Sequence, residues 1–147
     1  TIAVSVQLTA GVNRTQPGNA DLFLYDGEGR ERKQLTKSDS TIEGLPSFSP
    51  DGRTLAYHGI VQGMGQVMVM DLATGKVKVL TKGDPDCRWP RWSPDGKWIA
   101  YTRHTDDGGT DVWLMRPDGS GKPGYIVGKG RDELVVFGPA LPKIAGQ

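Results

Sequence analysis

The chain has 147 residues, of which 36% are hydrophobic, 24% charged and 7% aromatic, with a formal net charge of +1. That length suits one domain with a real core. No apolar run approaches the roughly 20 residues a membrane helix needs, and the near-neutral balance gives no electrostatic case for nucleic acid or an anionic membrane as partner.

The 21 glycines and 10 prolines lie at regular intervals between short apolar segments. That spacing predicts many turns and many short strands. In chain order, a first strand is expected over Thr1–Val6. A long loop over 9–19, carrying Arg14, reads either as a lid or partner contact or as a surface insertion. Leu22-Phe23-Leu24-Tyr25-Asp26 is the next strand, followed by the turn Gly27 to Gly29 and a closing Leu35-Thr36. A strand ending at Phe48 then meets Ser49-Pro50-Asp51-Gly52. This is a turn with a mechanism: proline presets φ, Asp bonds back to the backbone and Gly accepts φ > 0. A strand from Leu55 follows, then a loop expected over 59–65, a strand at Val67-Met68-Val69-Met70-Asp71, and an outer strand over Lys76–Leu80. Lysines alternate with apolar residues in that outer strand, which suits one wet face. Cys87 is the only cysteine, so no intrachain disulfide is possible, and Asp84, Asp86 and Arg88 around it predict an exposed loop thiol.

The chain then repeats itself. Pro46-Ser47-Phe48-Ser49-Pro50-Asp51-Gly52-Arg53-Thr54-Leu55-Ala56-Tyr57 matches Pro90-Arg91-Trp92-Ser93-Pro94-Asp95-Gly96-Lys97-Trp98-Ile99-Ala100-Tyr101. Val67–Asp71 matches Val112–Arg116, and Leu22–Asp26 is an earlier copy. Leu35-Thr36 and Leu80-Thr81 close two of the units. Four short antiparallel strands in each unit of about 44 residues are the pattern of a propeller blade.

The Ser-Pro-Asp-Gly hairpin with Leu/Ile-Ala-Tyr, an apolar third strand and Leu-Thr resembles the WD40-like PD40 repeats of TolB-type propellers. The match is specific over 46–119 and weaker over 20–45. The resemblance implies an all-β propeller and a periplasmic or secreted bacterial setting. The family includes binding scaffolds, non-catalytic domains of peptidases and a few lyases, so the resemblance leaves the function open.

The blades are expected near 1–44, 45–87 and 88–133, within a single domain over 1–147. Thr1–Val6 matches a second strand, and Val136-Phe137-Gly138-Pro139 occupies the place of a first strand. The expectation is therefore three four-stranded blades per chain, with residues 134–138 completing the blade begun by 1–36 of a second copy. Two copies give a six-bladed homodimeric ring. The alternative is a fragment of a longer six-bladed chain.

One face is expected to carry the longer loops, at 9–20, 37–44, 59–65, 82–88, 103–110 and 128–133, with the Ser-Pro-Asp-Gly turns opposite. The candidate ligand-binding residues are Arg14, His58, Arg88, Trp89, Arg91 and Arg131. Arg88 and Arg91 flank Trp89 on an inner strand, where Arg88 either offers a cation to an anionic ligand or takes part in salt bridges at the channel mouth. Trp89 is either a stacking platform for sugar or peptide, or inter-blade packing. His104, Asp106, Asp107 and Asp111 are the one cluster of metal-ligand types, although Asp106-Asp107-Gly108-Gly109 is also an ordinary turn. Asp51 and Asp95 read as structural turn residues. Walker, Gly-x-Ser-x-Gly, His-Glu-x-x-His and Cys-x-x-Cys motifs are absent, and Ser49 and Ser93 have no histidine base nearby in sequence. The leading reading is a non-catalytic scaffold with no cofactor, binding a protein, peptide or glycan. The alternatives are a metal-assisted lyase or hydrolase at the channel, using His58 or His104, and an accessory propeller of a peptidase.

Overall fold

The computed structural model describes residues 1–7, 19–37, 42–83, 85–130 and 137–138. Among these the regular structure is all strand. β1 (Ile2–Gln7), β2 (Ala20–Tyr25) and β3 (Glu31–Gln34) form the first sheet. β4 (Glu43–Phe48), β5 (Thr54–Val61), β6 (Met64–Asp71) and β7 (Val77–Val79) form the second. β8 (Cys87–Trp92), β9 (Ile99–His104), β10 (Thr110–Met115) and β11 (Gly124–Gly130) form the third. Neighbouring strands within each sheet are antiparallel. Three strands, then four, then four is the blade order that the repeat predicts. Of the segment 134–138, only Phe137 and Gly138 are described.

The Ser-Pro-Asp-Gly hairpins close the same way twice. The Ser49 hydroxyl donates to Asp51 Oδ1 at 2.6 Å and accepts the Thr54 N–H at 2.9 Å. The Ser93 hydroxyl does the same with Asp95 at 2.6 Å and Trp98 at 3.0 Å. The serine hydroxyl and a backbone N–H hold each aspartate carboxyl below its usual range.

The core lies between the blades, and strand alternation divides it. Ala56, Val67 and Val69 point toward the third blade and pack with Cys87, Ile99, Tyr101 and Met115. Leu55, Tyr57, Met68 and Met70 point the other way and pack with Leu22. Because β5 and β6 are buried on both faces, they read as continuous apolar runs rather than as alternating ones. Cys87 belongs to this core. It is fully buried, not exposed in a loop, and its thiol donates to the Pro85 carbonyl at 3.0 Å.

The expected loop over 59–65 is mostly strand. β5 and β6 stay paired out to Val61 and Met64, and the turn is only Gln62-Gly63, with φ of 52° and 81°. Two consecutive left-handed residues match the twist of the flanking strands and permit this tight hairpin.

Inner strands β4 and β8 carry matching irregularities. Their registers shift between Gly44 and Ser47 and between Arg88 and Arg91. Leu45 (φ 49°) and Trp89 (φ 56°) occupy those bulges in a left-handed conformation that bulky residues rarely adopt.

Candidate functional site

The loop face is organised around Asp86, in the connection from the second blade to the third. Its Oδ1 accepts the Gly65 N–H at 2.7 Å and the Arg88 Nε–H at 2.9 Å. Its Oδ2 lies 2.8 Å from Arg88 Nη2 and 3.9 Å from His104 Nε2. Its backbone carbonyl accepts the His104 N–H at 2.8 Å. One residue thus ties the β5–β6 hairpin, β8 and β9 together. Burial pushes the Asp86 pKa up, but the hydrogen bonds and charge of Arg88 and the Gly65 N–H outweigh it and leave a net lowering. Gly65 is required by this contact, since an added Cβ would stand 2.4 Å from Asp86 Oδ1.

His58, on β5, is buried beside this group against Gly44. Burial, reinforced by the Arg88 charge, pushes its pKa down to about 4, while Asp86 and a hydrogen bond with the Gly44 backbone act in the opposite direction. His58 is therefore neutral at pH 7, and its Nδ1 has no hydrogen-bond partner among the described residues.

The other ligand-binding candidates have different surroundings. Arg14 and Arg131 lie outside the described residues. Arg88 is ion-paired with Asp86, the salt-bridge alternative, so its charge is used internally. Trp89 is half-buried at its bulge. Arg91 has no ion pair with a carboxylate among the described residues; its Nη1 donates to the Pro90 carbonyl at 3.1 Å and the Leu45 carbonyl at 3.4 Å.

His104, Asp106, Asp107 and Asp111 do not form a ligand set. Among the described residues no three His, Cys, Asp or Glu side chains are placed to hold a metal ion. Asp107 turns back on its own hairpin, accepting from the Thr105 hydroxyl at 2.5 Å and the Gly109 N–H at 3.2 Å. His104, Asp106 and Asp111 line a notch of about 160 Å³ that also contains Arg103. The Arg103 guanidinium lies 5.0 Å from the Trp113 ring centroid, so this notch already has a cation in its wall.

Sequence reasoning missed the role of Asp86, noted there only as a neighbour of Cys87. It also missed an apolar hairpin tip on the same face. Val61 and Met64 are 37% and 52% exposed, and with Gln62, Val79 and Lys82 they border a hollow of about 520 Å³.

The sequence matches the model of PD40, the TolB beta propeller domain, over residues 7–132. The chain belongs to this family. It is 34% identical over 108 residues to the Protein TolB homolog of Chlorobaculum tepidum, covering 74% of this chain and 24% of that protein. It is 32% identical over 98 residues to the Tol-Pal system protein TolB of Francisella tularensis subsp. mediasiatica, covering 65% and 22%. The solved structure of TolB from Acinetobacter baumannii matches with a TM-score of 0.63 and 28% identity, over 76% of this chain and 27% of that one. This TolB-type chain therefore spans about a quarter of each of these proteins. It is similar to one part of a larger propeller.

Proposed function

We propose that this TolB-type chain is a non-catalytic scaffold that binds a protein partner through its loop face, in a periplasmic or secreted setting. The observation that carries the reading is the apolar hairpin tip, Val61 and Met64, on a hairpin that Asp86 ties to β8 and β9. Exposed apolar residues on a fixed scaffold favour protein contact. The neighbouring charges support the same reading, because Arg88 and Asp86 neutralise each other and His58 is buried and uncharged. The test is a photo-crosslinking residue at position 62, compared with one at position 119 on the opposite face, in an envelope extract of the source cells. A discrete protein adduct from position 62 alone is expected. Adducts from neither position, or from both equally, contradict the reading.

The proposal extends to assembly. Two copies would form a six-bladed ring in which residues 134–138 of one chain pair with β1 of the other. In support, β1 pairs only with β2 among the described residues, and Ile2 on it is 51% exposed. The molecular mass in solution tests this part.

A further inference from the structure

Phe48 and Trp92 lie at the turn-side ends of inner strands β4 and β8, and Phe137 occupies the same repeat position in the sequence that follows. With Pro50, Pro94 and Arg91 they line an open notch of about 310 Å³. This is the opposite end of the blades from the loop face. Arg91 is the only charged residue lining it among those described, and its guanidinium meets backbone carbonyls rather than a carboxylate. The nearest acids in sequence are already engaged: Asp51 with Ser49 and Asp95 with Ser93. In addition, the Trp92 indole Nε1–H is buried with no acceptor among the described residues.

Aromatic and proline walls and one guanidinium with no counter-charge among the described residues make a specific chemical demand. The walls suit a flat ring or a proline. The guanidinium suits a carboxylate, its planar and best-matched partner. A single cation with no glycine-rich backbone cradle is a poor match for a nucleotide phosphate. We propose that this notch binds a peptide segment in which a carboxylate lies beside an aromatic or proline side chain, with Arg91 taking the carboxylate and Phe48, Trp92 and Phe137 taking the ring. The site is independent of the loop face, and Arg91 rather than Arg88 is the residue that meets an anionic ligand.

The probe is N-acetylphenylalanine, titrated against the 147-residue protein while the four tryptophan indole signals are followed by NMR. A saturable shift of the Trp92 signal is expected. Binding should weaken at least tenfold with N-acetylphenylalaninamide, which lacks the carboxylate, and at least tenfold in Arg91→Gln. Arg91→Lys should recover part of it, and Arg53→Gln, which removes an exposed cation elsewhere, should leave it unchanged. Equal binding of acid and amide, no saturable response to either, or full binding by a folded Arg91→Gln protein overturns the proposal. So does tighter binding of adenosine monophosphate than of the acid probe. The acid-to-amide comparison decides the matter even if the Arg91 variants fold poorly.

Discussion

Asp86 and Gly65 form a close contact on the loop face, and the glycine has no room for a side chain there. Gly65→Ala places a Cβ 2.4 Å from Asp86 Oδ1 and 3.0 Å from the Cys87 carbonyl. Relieving that clash should destabilise the protein by about 1–3 kcal/mol, read as a lower urea midpoint. His58 makes a second residue-level prediction, on pH. Its pKa falls from 6.5 in the unfolded chain to about 4 in the folded one. The unfolded chain therefore takes up the proton first as pH falls. The stability held by neutral His58 is complete above pH 6.5 and is lost progressively toward pH 4. The urea midpoint should drop between pH 7 and pH 4.5, and His58→Gln should lessen that drop. An unchanged pH dependence in the variant would contradict the assignment. Sequence alone named both arginines as ligand candidates, with salt bridging as the alternative for Arg88, and a physical reason kept it from telling them apart. The bulge at Trp89 lets three residues of β8 pass while β9 advances two, from Thr102 to Ala100. Strand parity therefore breaks, and only coordinates show that Arg88 reaches back to Asp86 while Arg91 does not.

Each fourth strand is finished by a threonine when the sequence supplies one. Thr36 Oγ1 accepts the Leu22 N–H at 2.8 Å. Thr81 Oγ1 accepts the Val67 N–H at 2.9 Å and donates to Gln66 Oε1 at 2.9 Å. These bonds satisfy third-strand groups where the outer strand leaves for the next blade. The third unit has no matching Leu-Thr, and its outer strand β11 runs for 7 residues, against 4 in β3 and 3 in β7. Thr81→Val removes two buried hydrogen bonds, to the Val67 N–H and to Gln66 Oε1, and should cost about 1–3 kcal/mol. Thr36→Val removes a single, partly buried bond and should cost less, and a thermal melt of both variants checks the order. The Ser-Pro-Asp-Gly hairpins were legible because each residue carries a local reason for the turn. The Gln62-Gly63 hairpin was not, because glutamine is an uncommon choice where two successive left-handed residues usually call for Asn-Gly.

For the whole molecule, the repeat alone was enough to place strands two, three and four in the first sheet and four strands in each of the others. The second unit buries its two faces against its two neighbours, so the period of the sequence is also the period of the core. Among the described residues β1 pairs only with β2, and the proposed ring covers its other edge with residues 134–138 of a second copy. Propellers have about four to eight blades, and the proposed second copy adds three more sheets to the three among the described residues. The most direct measurement is the mass of the 147-residue protein by light scattering with size exclusion. A six-bladed ring of two copies predicts twice the 15.9 kDa chain mass, with Phe137→Asp shifting the population toward monomer. A stable, monodisperse particle of 15.9 kDa would contradict it.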